Sequence, residues 1–259
     1  MIKKQIFCLG AAALFLATAN PAQAHFGMVI PSVNIVSPSD KNVDVTLSFS
    51  HPFEMIGMDL SMPAQFYVVS GDKRTDLAPS LATTSVMGHQ GWYTSYKVRR
   101  PGVYQFVMEP APYWEPAEDL SIIHYTKTII AAFGADSGWD EPVGLPTEIV
   151  PLTRPFANYS GNSFTGRVMT NGKAVPHAEV EVEFYNQDGR LKAPSDYHVT
   201  QVVKADGSGV FSFSCPREGW WGFSALNEAG YTLADPSGKA KAVELGAVLW
   251  IYLDGYGEK

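Results

Sequence analysis

Hydrophobic and polar residues alternate along most of this chain with the two-residue period of β-strands. Residues 43–50, VDVTLSFS, are the clearest case, with polar side chains on one face and Val43, Val45, Leu47 and Phe49 on the other. The stretches AQFYVVSGDKR, GWYTSYKVRRPGVYQFVMEP and LSIIHYTKTIIAAF repeat the pattern and are bounded by Gly, Pro or Asp. Beyond the N-terminal region no segment has a helical period. The pattern predicts an all-β fold.

Turn signals separate the predicted strands. Asn171-Gly172 is a strong two-residue turn signal between two strand patterns. Arg100-Pro101-Gly102 and the DGSG stretch at 206–209 also lie between strand patterns. We expect each of the three turns to join two strands that pair with each other as a hairpin.

The chain divides into two strand-rich regions. Residues 134–162 carry glycines and prolines throughout without a clear period, which predicts an extended connection. Residues 162–228, with their NG turn, PHAEVEVE and ADGSGVFSFSCPREGWW, resemble small transthyretin-like or carboxypeptidase-regulatory-like β-sandwiches. We therefore predict two β-sandwich-like domains, residues 25–155 and 156–259, the second of this type. The last pattern, AVELGAVLWIYL, fits either domain.

The strand pattern at the start of the second region alternates valines with acids. Glu179, Glu181 and Glu183 fall on one face of this predicted strand. A row of carboxylates on one strand face is typical of a solvent-exposed surface, so we expect all three to be solvated and to form no acid/base pair.

The first residues have the features of a signal peptide. Lys3 and Lys4 precede an uncharged apolar run, and Ala22-Gln23-Ala24 is the small-x-small pattern that a signal peptidase recognises. The run is shorter than the roughly 20 residues that a membrane-spanning helix needs. We predict a signal peptide at 1–24, cleavage before His25, and a periplasmic protein that is not inserted in the membrane.

Net charge and cysteine content limit the kinds of partner and of metal site that the protein can have. Loss of Lys3 and Lys4 with the signal peptide changes the net charge from −7 to −9, which disfavours nucleic acid and anionic membrane as partners. Cys8 is lost too, so Cys215 has no partner for a disulfide within the chain. We expect Cys215 to be a small buried residue, and a cysteine-based metal site is excluded.

Histidine at the predicted cleavage site suggests a metal ligand. After cleavage, His25 offers two nitrogen donors, its free α-amine and its imidazole Nδ1, which together close a six-membered chelate ring. The α-amine has a pKa of about 7.7–8.0, so a metal displaces its proton readily near neutral pH. Cu(II), Ni(II) and Co(II) favour such nitrogen ligands. The alternative is a cleavage site that precedes a histidine by chance.

The first region holds four of the six histidines of the chain. His51 continues the inward row of its strand, His124 lies within a strand pattern, and His89 lies in a glycine-flanked loop. Each taken singly also fits a core or surface histidine. Together they favour a metal site in the first region, with these four histidines as candidate ligands and Glu54 as a candidate weak donor. For the segment PAPYWEPAEDL at 110–120 packing is the favoured role, and the alternatives are a wall of a site or a surface that docks a partner.

Several motifs together resemble one known family. They are AHFGMVIPS, HPFE, KVRRPGVYQFVMEPAPYWEPAEDLSIIHYTK and GWDEPVGLPTEIVPLTRP, followed by the sandwich pattern. The combination resembles the DUF4198 family of periplasmic components associated with nickel/cobalt uptake transporters of the energy-coupling-factor type. The resemblance implies a non-enzymatic, exported all-β protein that binds Ni(II) or Co(II) at His25, His51 and His124. It adds His89 as a further ligand and Glu54 as an outer-shell group that orients His51. It also implies membrane subunits of such a transporter as partners.

Two other classes of function stay open. One is a copper protein with an N-terminal histidine brace, either a carrier or an oxidative enzyme. The other is a β-sandwich interaction module in which the histidines have no metal-binding role.

Overall fold

The structure, a computed structural model, describes residues 25–257, and the predicted signal peptide lies outside the described residues. Within this range the helical segments are two single 3-10 turns, Ala78–Ser80 and Asp196–His198, and the remainder consists of strands and connections. The prediction of an all-β fold is confirmed. Across the same residues we find no helix that is both long and apolar enough to span a bilayer.

The first half of the described chain contains eleven strands. They are β1 (Phe26–Pro31), β2 (Ile35–Val36), β3 (Asn42–His51), β4 (Ile56–Met58), β5 (Gln65–Ser70), β6 (Lys73–Asp76), β7 (Ala82–Val86), β8 (His89–Lys97), β9 (Gly102–Glu109), β10 (Tyr113–Glu115) and β11 (Leu120–Ala132).

The second half contains the other eleven described strands. They are β12 (Thr147–Pro151), β13 (Asn158–Tyr159), β14 (Ser163–Thr170), β15 (Lys173–Ala174), β16 (Glu179–Phe184), β17 (Gln201–Lys204), β18 (Val210–Ser214), β19 (Gly219–Glu228), β20 (Leu233–Ala234), β21 (Ala240–Lys241) and β22 (Val243–Asp254).

Most strands belong to one of three sheets. The front sheet has the order β1-β3-β8-β7, with β4 paired to β3. The central sheet has the order β17-β16-β19-β22-β11-β9-β5-β6, with β2 and β10 paired to β11 and β13 paired to β22. The back sheet has the order β12-β14-β15, with β18 paired to β14. Strands β20 and β21 form a separate small hairpin.

The front and back sheets cover opposite faces of the central sheet. Side chains alternate between the two faces of a strand, so even-numbered and odd-numbered residues of β11 point in opposite directions. Ile122 of β11 packs with the front sheet, around Leu47 and Phe106. Ile129 of β11 instead packs with the back-sheet core, around Phe164. The molecule is therefore built from two β-sandwiches that share the central sheet.

The last strand, β22, lies in the middle of the central sheet. It pairs antiparallel with the whole of β19. It also pairs parallel with β11, from Ser121↔Val243 to Thr128↔Trp250. The sequence left open which half of the chain this strand joins. In the structure it pairs with a strand of each half. The division into domains at residues 25–155 and 156–259 stays a prediction.

Two of the three predicted hairpins are wrong. The turn at Arg100-Pro101-Gly102 leads from β8 in the front sheet to β9 in the central sheet. The DGSG turn leads from β17 in the central sheet to β18 in the back sheet. The hairpin at Asn171-Gly172 is confirmed, since β14 and β15 pair and both turn residues have positive φ, 50° and 71°. Alternation shows that one face of a strand is buried, but it does not identify the sheet to which the strand belongs.

The predicted solvent-exposed glutamate row is also wrong for two of its members. Glu179 is exposed, but Glu183 is buried and Glu181 is largely buried. The turn after β3 and the segment after β16 cover Glu183, as its bonds to Phe53 and Thr200 show. This cover comes from distant parts of the chain, which the strand pattern does not reveal. The prediction for Cys215 is confirmed, because it is fully buried in the core of the second sandwich.

Candidate metal site

The pairing of β1 with β3 brings the first two predicted ligands together. The antiparallel register matches Phe26 with Ser50 and Gly27 with Phe49, so one further step places His25 opposite His51. Directly opposed residues of an antiparallel pair have side chains on the same face, about 4.5–5.5 Å apart at Cβ. The two imidazole rings are accordingly neighbours, with centroids 4.6 Å apart. His51 is buried, as the alternation of its strand predicts.

His124 approaches the same region from the central sheet. Its ring lies over Gly246, its register partner on β22, where an added Cβ would come within 2.3 Å of the imidazole Cδ2. On the other side, an added Cβ at Gly27 would come within 3.1 Å of the His124 Cβ. Gly246 therefore provides the space that the His124 ring occupies, and Gly27 allows β1 to pack closely against His124 and Thr126. The ring of Phe49 contacts both His124 and His25.

The hydrogen bonds of His124 define its tautomer. The backbone N–H of Gly27 donates to Nδ1 over 3.4 Å, so this nitrogen carries no proton. In the neutral ring the proton is then on Nε2, which lies 3.4 Å from the carboxylate Oε1 of Glu244. Both nitrogens have partners, and both contacts are long. A metal ion that binds His124 has to replace one of them.

The sequence pattern did not identify Glu115, which bonds to His25. Its Oε2 lies 3.1 Å from His25 Nε2, and both side chains are nearly buried, at 11% exposure for His25 and 12% for Glu115. Glu115 belongs to the segment at 110–120, for which packing was the favoured role and a wall of a site an alternative. In the neutral tautomer that donates Nε2–H to this carboxylate, Nδ1 of His25 has a free lone pair. A carboxylate behind a histidine is the common outer shell of metal-binding histidines.

The surroundings of His25 keep its ring neutral. Burial, together with the neighbouring His51 and His124, lowers the pKa of His25 to about 4 against the opposing effect of Glu115. At neutral pH the imidazole is therefore unprotonated. A metal ion would not have to displace a proton from it.

A small cavity adjoins His124. Its volume is about 20 Å³, enough for about one water molecule or a single metal ion. The lining includes Phe49, Tyr113, Asp59 and His124. The Tyr113 ring also contacts His25, with centroids 6.5 Å apart, and burial raises the pKa of its hydroxyl. The segment at 110–120 thus contributes a wall of the pocket in addition to Glu115.

The other two predicted residues have different environments. The His89 imidazole is about half exposed and lies 3.3 Å from Asp59, which lines the cavity beside His124. Glu54 is exposed on the turn after β3 and contributes to the electrostatic environment of Glu183. The roles of His89 as a further ligand and of Glu54 in orienting His51 stay predictions.

The three clustered histidines do not form a finished coordination sphere. Among residues 25–257, no group of three or more His, Cys, Asp or Glu side chains has an arrangement that would hold a metal ion. The donor set itself is rich in nitrogen and buried, as Ni(II), Co(II) and Cu(II) prefer. Binding to this set requires a further donor or a change in side-chain orientation.

Several solved structures resemble this chain at low sequence identity. The D0-D1 domain of intimin matches at 10% identity and a TM-score of 0.25, with 88% of this chain and 100% of that chain covered. PorU from Porphyromonas gingivalis matches at 12% identity and a TM-score of 0.24, with 86% of this chain and 20% of PorU covered. BcpA, the major pilin subunit of Bacillus cereus, matches at 9% identity and a TM-score of 0.19, with 85% of this chain and 62% of BcpA covered. These TM-scores are too low to indicate a shared function.

A comparison with curated proteins finds no match. The sequence model of one family, described as "Domain of unknown function (DUF4198)", matches residues 22–229. The match begins just before His25 and includes both strands that carry His51 and His124 as well as the second sandwich up to β19. This chain therefore belongs to the DUF4198 family.

Proposed function

We propose that this protein is an exported, periplasmic metal-binding protein that captures Ni(II) or Co(II) and supplies it to a membrane uptake transporter. The observation that carries the proposal is the proximity of His25, His51 and His124, since the His25 ring neighbours His51 and the Phe49 ring contacts both His25 and His124. They come from three separate parts of the chain, and two of their rings lie 4.6 Å apart. The metal is cargo in this proposal, and no catalytic step is involved.

Processing supplies the donor that the clustered side chains lack. Backbone N–H groups alternate in direction along a strand, so the nitrogen of His25 is expected to point to the same side as that of Gly27, toward β11 and His124. Cleavage before His25 would turn this nitrogen into a free amine. The amine and Nδ1 would then chelate one ion, and His51 and His124 would add imidazole nitrogens.

The position of Glu115 supports this chelate. A bond from Nε2–H to the carboxylate selects the tautomer whose Nδ1 is free, and Nδ1 is the ring nitrogen that lies on the side of the amine. Glu115 also supplies negative charge next to a site that would hold a divalent cation. Both effects favour metal binding over an empty pocket.

The transporter part of the proposal rests on the resemblance of the motifs to nickel/cobalt-associated members of the family. The partners would be the membrane subunits of that transporter. The net charge of −9 expected for the processed chain suits a freely soluble carrier of cations.

The test is calorimetric titration of Ni(II) and Co(II) into protein whose first residue is His25. A matched control carries one extra residue before His25, which converts the amine into an amide. We expect the extension to weaken Ni(II) binding by about 10–100-fold or more, because a direct ligand should matter at least as much as an outer-shell residue. Equal binding by both forms would show that the amine is not a ligand.

Two further measurements address the alternative functions. Copper should bind tightest in vitro whatever the biological metal, because affinities follow the Irving–Williams order, so affinity rank does not decide between carriers. Ascorbate-driven oxygen consumption by the copper-loaded protein would support an oxidative histidine-brace enzyme. Absence of any metal uptake by correctly processed protein would support an interaction module.

A further inference from the structure

The turn that follows His51 is fastened to the second half of the chain. We call residues 52–55 the His51 turn. The backbone N–H of Asn186 donates to the carbonyl of Pro52 over 3.2 Å, and the Asn186 side-chain Nδ2 donates to the carbonyl of Phe53 over 3.0 Å. The N–H of Phe53 donates to Oε2 of Glu183 over 3.3 Å. Three hydrogen bonds thus connect this turn to Glu183 near the end of β16 and to Asn186 just after it.

Asn186 is held in one orientation. It is 3% exposed, and its side chain also accepts from the N–H of Leu191 over 3.1 Å and donates to the Leu191 carbonyl over 3.0 Å. An exchange of its oxygen and nitrogen positions would break all three side-chain bonds at once. The side chain therefore holds the His51 turn and the segment after β16 in a fixed relation.

Glu183 provides the second attachment. It is 1% exposed, and Thr200 donates to its Oε1 while Phe53 donates to its Oε2. A buried carboxyl with two such donors cannot shift without leaving one of them unsatisfied. The turn itself has one backbone strain point, Met55 at φ 59°, so its shape depends on these outside contacts.

His51 lies at the junction of this turn and the front sheet. It is the last residue of β3, and its register partner on β4 is Ile56, immediately after the turn. The pairing of β3 with β1 fixes the approach of His51 to His25 on one side. The other side is fixed by the turn, whose contacts are with the second half of the chain.

We propose that Asn186 and Glu183 are positioning residues for His51, so that the second half of the chain completes the metal site. This inference rests on the proposed function. It assigns the second half of the chain a part in metal binding, because a change at Asn186 acts on the ion only through His51. The second half of the chain is then a component of the site and not a separate interaction module.

The experiment is a double-mutant cycle on processed protein, with Ni(II) as the titrant. The four proteins are wild type, Asn186→Ala, His51→Ala and the double variant. We expect Asn186→Ala to weaken binding by about 10-fold or more in the wild-type background and to have less than about a twofold effect when His51 is already alanine. The Ni(II) absorption spectrum of Asn186→Ala should shift toward that of His51→Ala.

Two controls separate positioning from general damage. Asn227→Ala removes another asparagine of the second half, whose Nδ2 bonds to Thr147 and to the carbonyl of Ala225, and should leave Ni(II) affinity unchanged. Glu183→Gln keeps an acceptor for Phe53, so it should retain more affinity than Glu183→Ala. This second pair tests the inference even if Asn186→Ala does not fold. Equal losses from Asn186→Ala in both backgrounds would overturn the inference.

A metal-free measurement keeps this result separate from the proposed function. If wild type does not bind Ni(II), the proposed function fails. The NMR signals of the His51 ring then report its position directly. They should move in Asn186→Ala while those of His177, which lies before β16 and bonds to Asp206 through its backbone, stay fixed. Unchanged His51 signals in a folded Asn186→Ala protein would contradict the positioning role.

Discussion

The two faces of β11 carry two buried polar clusters of opposite character. On the odd-numbered face, Lys127 Nζ lies 2.6 Å from Glu148 Oε2, and the Glu148 carboxylate also accepts the N–H groups of Val143 and Gly144 at 3.1 and 3.0 Å. On the even-numbered face, His124 has contacts of 3.4 Å on both nitrogens. The first cluster has short bonds and opposite charges, whereas the second has long bonds between groups that can exchange partners.

This difference indicates which cluster is available for a ligand. A buried ion pair is costly to desolvate and tolerates no loss of a partner, so the Lys127 cluster serves to hold the segment at 134–146 over the sheet. An imidazole whose hydrogen bonds are long, as those of His124 are, can exchange them for a metal ion at little cost. The same strand therefore provides a structural element on one face and a candidate binding element on the other.

The largest expected effect comes from breaking the ion pair between Lys127 and Glu148. Lys127→Ala should lower the free energy of unfolding by about 3–5 kcal/mol, because it leaves the buried Glu148 without its counter-charge. Urea denaturation measures this change. His124→Ala should cost clearly less, and the folded Lys127→Ala protein should bind Ni(II) as wild type does. A similar loss of stability from both substitutions would remove the contrast between the faces.

The next effect comes from filling the space under His124. In Gly246→Ala the new methyl group would come within 2.3 Å of the imidazole Cδ2, so the ring has to move. We expect Ni(II) affinity to fall by about 10-fold or more, measured by calorimetry. Gly230→Ala is the matched control, since nothing lies within 4 Å of its added Cβ. Equal affinities of the two variants would exclude His124 as a ligand.

Glu181 differs from Glu148, whose carboxylate is fully bonded. The buried Oε2 of Glu181 has no hydrogen-bond partner among the described residues. Burial raises its pKa from 4.5 to about 7. Between these values the folded chain keeps a proton that the unfolded chain has lost, so stability falls as the pH rises from about 4.5 to 7. Glu181→Gln removes this loss. Its gain in stability over wild type should be small at pH 5 and on the order of 1–3 kcal/mol at pH 8.

The pH dependence of that gain is measurable by thermal or urea unfolding at the two pH values. Glu179→Gln is the control, because Glu179 is exposed and pairs with Lys204 at the surface. If the free energies of unfolding of Glu181→Gln and wild type differ by the same amount at pH 5 and pH 8, Glu181 is ionised in the folded protein at both pH values.

The smallest effect should come from Glu115→Gln. The amide can still accept from His25 Nε2, so the free Nδ1 is preserved while the negative charge is lost. We expect Ni(II) affinity to fall by only about threefold to tenfold, at the lower end of outer-shell effects, whereas Glu115→Ala should cost more. Calorimetry on processed protein gives both values. A larger loss for glutamine than for alanine would contradict the role assigned to the tautomer.

Much of the fold follows from the alternation of side chains. The pattern of β3 correctly predicts that His51 faces inward, and the pattern of β11 gives His124 the parity of the buried Ile122. The pairing of layers does not follow from alternation. A strand buried on one face looks the same in any sheet, so the turns at 100–102 and 206–209 were expected to form hairpins and instead cross between sheets.

The candidate site was predictable only in part for a related reason. Its histidines are uncommon residues at recognisable positions, whereas Glu115 is one of many acids and has significance only because β10 folds beside His25. Glu183 resembled a surface residue because its cover, the His51 turn, is 130 positions away in the chain. Contacts over such separations leave no local trace in a single sequence.

The central location of β22 has a consequence for the order of events during folding. Among the described strands, β22 (Val243–Asp254) comes last along the chain, yet it lies beside β11 in the middle of the central sheet. Gly246 and Glu244 of this strand contact His124, so the surroundings of His124 are incomplete until β22 has paired with β11. A folding intermediate that lacks β22 would carry all its histidines without a finished place to hold an ion.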